Sequence, residues 1–222
     1  MTKYKFCGLT RPDEIKAAVE LGADYIGFVF WEKSRRYVDV LTAKSLRKSM
    51  EVNGAEKTQP AFEDGASRLK KPQVVGVFVD ENPEKIEEIV RDGIIDIVQL
   101  HGHEDEKYIE NLRKLIPKVP VIQAFRIKSI EDIERAKRST ADFPLLDSGM
   151  GTGSVFNWQL IKESGLDRPY FLAGGLDVQN VTKALEMLTP MAVDVSSGIE
   201  INGHKDTEKM RLFAERVRCA KE

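Results

Sequence analysis

Short apolar segments alternate with amphipathic helical segments eight times along the chain, and this alternation constrains the fold more than any other feature. Most of the apolar segments lack interleaved polar residues, which is typical of parallel strands buried on both faces. The predicted strands cover residues 3–7, 24–30, 73–79, 96–100, 120–125, 143–147, 169–172 and 192–195. The predicted helices cover residues 11–21, 39–49, 83–91, 104–115, 130–138, 157–163, 178–188 and 206–219.

Eight strand–helix units in strict alternation predict parallel strands joined by right-handed crossovers. We therefore expect an α/β fold with a single (β/α)8 barrel over residues 1–222, the alternative being an open doubly wound sheet. Residues 50–72 are the exception, because they are polar, contain Gly and Pro, and lack helical periodicity. They predict a flexible loop between the second helix and the third strand, on the face of the barrel that lies away from the chemistry.

Composition excludes several classes of function. The formal net charge of -2 predicts no nucleic-acid partner. No apolar run reaches the roughly 18 residues that span a bilayer, so no membrane association is expected. The N-terminal residues show no cleavage signature, and two cysteines in an unexported protein are more often reduced than bridged. We expect a cytoplasmic protein.

Residues that follow the strands carry the function of a barrel, because active sites collect at the carboxyl ends of the strands. Cys7 ends the first predicted strand and is a candidate general base, or else a small packed side chain. Asp147 ends the sixth and is a candidate acid, or else a carboxylate that braces a loop. His101 and Asp194 more often hydrogen-bond local backbone. Arg36, beside Arg35, suits an anionic substrate at the rim of the site.

Small residues follow the last two strands, in the sequences AGGLD and VSSGIE. Glycine lets a phosphate approach backbone N–H groups, and loops after strands seven and eight often bind phosphate in this architecture. The candidate phosphate-binding residues in these two loops are Gly174, Gly175, Ser197 and Gly198. Glycine is also common in any tight turn, so one such loop alone would indicate little.

At its strand ends the chain resembles the phosphoribosylanthranilate isomerase family. The matching stretches are KFCGLT, GFVFWEKSRRYV, VGVFVD, VQLHGHE, IQAFRI, LLD followed by GTGSVFNW, FLAGGLDVQNV, VDVSSGIE and GHKD. They run from residue 3 to residue 206 in the order of the family. Two departures are Arg35, where the family often has proline, and Phe156-Asn157-Trp158, where it has FDW.

The resemblance implies an intramolecular oxidoreductase of tryptophan biosynthesis, which converts N-(5-phosphoribosyl)anthranilate into a carboxyphenylamino-deoxyribulose phosphate by an Amadori rearrangement. It implies Cys7 as general base, Asp147 as general acid and Arg36 at the anthranilate end of the substrate. It places Gly153 with the two small-residue loops around the phosphate. It implies no cofactor and no metal, and a monomer or a homodimer remains open. Another phosphate-binding barrel enzyme and a catalytically silent barrel that only binds a partner are the alternatives.

Overall fold

A computed structural model describes residues 1–53, 71–147 and 158–220 of the chain. Eight parallel strands form a closed barrel in sequence order, and β1 pairs with β8 to close it. The predicted (β/α)8 barrel is confirmed. The barrel strands are β1 (Lys3–Cys7), β2 (Tyr25–Val29), β3 (Gln73–Phe78), β4 (Ile97–Leu100), β5 (Val121–Arg126), β6 (Phe143–Asp147), β7 (Phe171–Ala173) and β8 (Ala192–Val195).

A helix follows each strand, and several helices begin at a side chain that caps the backbone. Asn82, Asp105 and Asp206 each accept a hydrogen bond from a backbone N–H in the first turn of the helix that follows, which satisfies one of the unpaired donors there. The helices are α1 (Pro12–Glu20), α2 (Val40–Asn53), α3 (Pro83–Arg91), α4 (Glu106–Leu115), α5 (Ile130–Arg138), α6 (Trp158–Glu163), α7 (Val181–Met187) and α8 (Thr207–Cys219). No helix among the described parts of the chain is long and apolar enough to cross a membrane.

Several predicted boundaries differ from the structure, two of them for a clear physical reason. The loop prediction began at residue 50, but α2 continues to Asn53. Met50 is buried, as are Ala43 and Leu46. The spacing of these three residues places them on one face of the helix, so the apolar face continues to residue 50. Residues 54–70, the greater part of that predicted loop, lie outside the described residues. Strand β7 begins at Phe171 rather than at residue 169, and Pro169 has no N–H with which to pair in the sheet.

The barrel encloses a core of its own, distinct from the core between barrel and helices. Successive strand residues point to opposite faces, so alternate positions face the barrel axis. Inside, aromatic and branched side chains such as Tyr25, Ile97, Leu145 and Phe171 form a dry cluster. The inward positions nearer the carboxyl ends of the strands include most of the polar ones, and they form the floor and walls of the candidate site described below.

A short antiparallel hairpin, which the sequence analysis did not predict, follows β8. Its strands are β9 (Glu200–Ile201) and β10 (His204–Lys205). Asn202 and Gly203 form the two-residue turn with φ of 51° and 84°. Asn-Gly is the commonest sequence for such a turn because both central residues need positive φ. The hairpin brings Glu200 and Lys205 to the mouth of the barrel.

Candidate active site

A cavity of about 680 Å³ opens at the carboxyl ends of the barrel strands. Alternate inward residues of the strands supply its floor and walls, and the loops after β2, β7 and β8 supply its rim. Of the predicted site residues, Cys7, Arg36, Asp147, Gly174, Gly175 and Ser197 all line this one cavity. Gly198 follows Ser197 in the chain and is not among the residues that line the cavity. Gly153 lies outside the described residues. The cavity is also lined by Val29, Trp31, Ser34, Arg35, Val77, Val79, Gln99, His101, Arg126, Ala173, Leu176, Asp194 and Ser196.

Cys7 is the last residue of β1, and it lines the cavity. It pairs in register with Gly27 of β2, whose missing side chain leaves room for the sulfur. Burial raises the pKa of the Cys7 thiol, while the nearby ammonium groups of Lys5 and Lys205 oppose that shift. Cys7 is therefore a thiol at neutral pH before substrate binds, with two cations close enough to stabilise a thiolate.

A layer of polar side chains that the sequence analysis missed lies beneath Cys7. Lys5 is fully buried, and its Nζ donates to Asp194 Oδ2 at 2.9 Å and to Gln99 Oε1 at 2.7 Å. Burial would lower the pKa of Lys5, but Asp194 and Cys7 outweigh it, so the pKa is raised and the ammonium persists. Removing one partner of such a buried pair typically costs about 3–5 kcal/mol. This layer separates the cavity from the dry cluster below.

Asp147 ends β6, across the barrel from Cys7, and contacts His101. Oδ2 of Asp147 lies 3.2 Å from Nε2 of His101, and Nδ1 of the same ring lies 3.1 Å from the amide nitrogen of Gln99. Since the Gln99 amide nitrogen can only donate, Nδ1 accepts and the neutral imidazole carries its proton on Nε2. The Nε2–H of the ring therefore lies on the side of Asp147, in contact with its carboxyl group. His101, expected to bond local backbone, instead connects Asp147 to the buried polar layer.

The structure separates the two neighbouring arginines of the loop after β2. The side chain of Arg36 is 21% exposed and that of Arg35 is 60% exposed, and both line the cavity. Arg36 forms a bidentate ion pair with Glu200, with Nε to Oε1 at 2.6 Å and Nη2 to Oε2 at 3.0 Å. Arg35 contacts the same carboxylate at 2.6 Å. The better-ordered donor toward the cavity is Arg36, because two of its nitrogens are held in place.

The two small-residue loops meet at the rim. A parallel bridge pairs Asp177 of the loop after β7 with Gly198 of the loop after β8. Within the first loop, the carbonyl of Gly175 accepts a hydrogen bond from Asn180 Nδ2 at 2.8 Å. The loops thus form one continuous surface of small residues beside the cavity, at the place where this architecture binds phosphate. Among the described residues, no group of three His, Cys, Asp or Glu side chains is arranged to hold a metal ion.

Comparison with known proteins identifies the family. Residues 4–216 match the family model for N-(5'-phosphoribosyl)anthranilate (PRA) isomerase. A protein of that name from Clostridium acetobutylicum is 39% identical, over 98% of this chain and 98% of its own.

Two solved structures are also similar. Monomers generated from dimeric phosphoribosylanthranilate isomerase of Thermotoga maritima superpose with a TM-score of 0.79 at 32% identity, covering 98% of this chain and 99% of theirs. A phosphoribosylanthranilate isomerase in complex with reduced 1-(o-carboxyphenylamino)-1-deoxyribulose 5-phosphate gives a TM-score of 0.78 at 34% identity, with the same coverage. The family model and the full-length relative agree, and the chain belongs to the N-(5'-phosphoribosyl)anthranilate isomerase family.

Proposed function

We propose that the chain isomerises N-(5'-phosphoribosyl)anthranilate by general acid–base catalysis, with Asp147 as the acid and Cys7 as the base. The observation that carries the proposal is that Cys7, Asp147, Arg36 and the loop of Gly174 line one cavity. These are the residue types that the chemistry needs, on the elements where the family resemblance implies them. No metal or cofactor is needed for this reaction.

Asp147 opens the sugar ring in the first step. The carboxylic acid gives its proton to the furanose ring oxygen, the C1–O bond breaks, and the anthranilate nitrogen supplies electrons to form an iminium ion. Asp147 is left as a carboxylate, and His101, whose Nε2 lies 3.2 Å from Oδ2, stabilises that charge. A positioned acid contributes roughly 10²–10⁴-fold to the rate.

Cys7 removes the proton from C2 of the sugar in the second step. The electrons of the C2–H bond form a C1–C2 double bond, and the electrons of the iminium return to nitrogen to give an enolamine. This product tautomerises to the ketose. The iminium charge, added to those of Lys5 and Lys205, lowers the pKa of Cys7 from its raised value, because an opposite charge favours the ionised form. The thiol proton passes to solvent as this pKa falls, and the thiolate that remains takes the C2 proton and becomes a thiol again.

We assign the two charged ends of the substrate to different residues of the rim. We place the anthranilate carboxylate on Arg36, since guanidinium groups bind carboxylates through paired donors. We place the phosphate on Gly174, Gly175, Ser197 and Gly198, where small residues leave the backbone accessible. The solved relative bound to a reduced deoxyribulose phosphate supports a ligand with both ends.

The proposal also covers the cellular location and the oligomeric state. We place the enzyme in the cytoplasm, with the other steps of amino-acid biosynthesis. For assembly we propose a monomer or a homodimer, and the Thermotoga maritima relative is described as dimeric. Light scattering on the purified protein distinguishes the two states.

Turnover and binding by two variants test the assignment of the acid and the base. Cys7→Ser and Asp147→Asn keep the size of each side chain but cannot exchange the proton, so kcat falls by roughly 10²–10⁴-fold. The dissociation constant for the reduced product analogue should stay within about threefold, since the losses concern the transition state only. Cys219→Ser, which changes the other, exposed cysteine, is the matched control and keeps full activity. If either variant retains more than a tenth of wild-type kcat, that residue has no catalytic role.

A further inference from the structure

Glu200 is a buried carboxylate that connects separate parts of the cavity rim. Its side chain is only 5% exposed, yet it contacts three cations. Arg36 binds it through two nitrogens, Arg35 through one, and Nζ of Lys205 lies 2.8 Å from Oε1. Burial alone would raise the pKa of Glu200, but the hydrogen bonds from Arg36 and Lys205 outweigh it, so the pKa is lowered and the group stays ionised at neutral pH.

The ion pair with Glu200 determines which side of the Arg36 guanidinium can reach a ligand. A guanidinium has five N–H donors in one plane. Glu200 occupies Nε and one donor of Nη2. Among the described residues no atom accepts a hydrogen bond from Nη1 of Arg36. The remaining Nη1–Nη2 edge is the one that can make a second bidentate contact to a planar carboxylate.

The hairpin that carries Glu200 is itself firmly attached to the barrel. The side chain of Lys205 is 2% exposed, and besides Glu200 it donates to the carbonyl of Ser196 at 3.0 Å. The backbone N–H of Lys205 donates to Glu14 of α1 at 3.3 Å. Glu200 is therefore held in position by contacts that do not involve Arg36.

We propose that Glu200 is a positioning residue that orients Arg36 for the substrate carboxylate. The inference rests on the proposed function, in which Arg36 binds the anthranilate end. A long arginine side chain loses several rotamers when a ligand immobilises it, and holding it beforehand removes that cost from binding. Glu200 also balances the local positive charge, so Arg36 and Arg35 do not repel each other from the rim.

A purely structural role for Glu200 makes a different prediction. Lys205 would then be the partner that matters, and loss of Glu200 would leave a buried ammonium without its carboxylate. The effect would be lower stability together with weaker binding of any ligand, whether or not Arg36 is present. Dependence on Arg36 therefore separates the two roles.

A double-mutant cycle with Glu200→Gln and Arg36→Met provides the test, read out as the dissociation constant of the reduced product analogue. Arg36→Met should weaken binding by roughly 10–100-fold through loss of a charge-assisted contact. Glu200→Gln should weaken it by about tenfold, the amount expected from one newly mobile side chain. In the Arg36→Met background, Glu200→Gln should change it by less than about twofold. Glu208→Gln, which removes the exposed partner of Arg211, is the matched control and leaves binding unchanged.

The other possible outcomes of the cycle would overturn either the positioning role of Glu200 or the substrate contact of Arg36. Equal effects of Glu200→Gln in both backgrounds, or no effect in either, overturn the positioning role. An equal loss of affinity for inorganic phosphate in Glu200→Gln would also overturn that role, because the proposal places phosphate on the small-residue loops and not on Arg36. If Arg36→Met leaves analogue binding intact, the proposed substrate contact fails as well. Should Glu200→Gln not fold, the pair Glu200→Gln/Lys205→Met removes both buried charges and enters the cycle in its place.

Discussion

Replacement of Gly27 by alanine tests whether the position of Cys7 limits catalysis. A Cβ atom added at residue 27 would lie 2.9 Å from Sγ of Cys7, 3.1 Å from its Cα and 3.2 Å from Cε of Lys5. Ordinary carbon contacts lie at about 3.5–4.0 Å. Since the Cα of Cys7 is paired backbone in β1, the thiol and the strand end must move by roughly 0.5–1 Å. A misplacement of about 1 Å can cost 10²-fold in rate, so we expect kcat to fall by about 10–100-fold.

Stability should fall by a smaller and separable amount. Overpacking of one methyl group costs about 1–3 kcal/mol. In a chain of this length each kcal/mol lowers Tm by roughly 2–4 °C. Steady-state kinetics at 25 °C, well below the lowered Tm, then report on the site and not on unfolding.

Gly76→Ala is the matched control. Its added Cβ would meet Ile95 at 2.7 Å and Phe78 at 2.8 Å, so the crowding is similar, but Gly76 faces the helices and not the cavity. We expect a comparable loss of Tm with kcat within about twofold of wild type. A folded Gly27→Ala enzyme with kcat within threefold of wild type would refute the reasoning.

Two further predictions concern pH. Because burial raises the pKa of Cys7 above its ordinary value of 9.0, alkylation of Cys7 by iodoacetamide in a Cys219→Ser background should speed up about tenfold per pH unit from pH 7 to 9; a plateau below pH 8 would contradict this. Arg47 and the backbone N–H of Val74 hold the pKa of Asp96 below its ordinary 3.8, against the opposing effect of burial. A lowered folded-state pKa gives stability that is present above pH 3.8 and lost as the pH falls through the folded value. Urea unfolding should therefore show a difference between wild type and Asp96→Asn that is constant from pH 5 to 7 and narrows below pH 4, whereas a difference that widens would be inconsistent.

The sequence was sufficient for the barrel because eight buried parallel strands leave an unmistakable apolar pattern. It also indicated Cys7 and Asp147, since strand ends are where barrel chemistry collects. It did not indicate Lys5, because this lysine lies inside β1 and not at its end. A signal was present: Lys5 lies two residues before Cys7, and alternate strand residues share a face.

The Glu200 hairpin was missed for another reason. Two-residue strands are too short to show any periodicity, and only the Asn202-Gly203 turn gave a local indication. The contact between Glu200 and Arg36 spans 164 positions of the chain. No spacing rule connects residues so far apart, because their proximity follows only from closure of the barrel.

Closure also has a consequence for synthesis on the ribosome. Lys5 and Cys7 emerge among the first residues, yet Asp194, which neutralises Lys5, lies 189 positions later, as does Ser196, whose hydroxyl bonds the Cys7 carbonyl. Until β8 docks against β1, the first strand carries a lysine that cannot be buried without its counterion. Cys7, the proposed base, therefore reaches its final surroundings only when the last strand is in place, although it is made first. On the proposed mechanism, a chain that lacks β8 should show no turnover, and turnover should appear only once the barrel has closed.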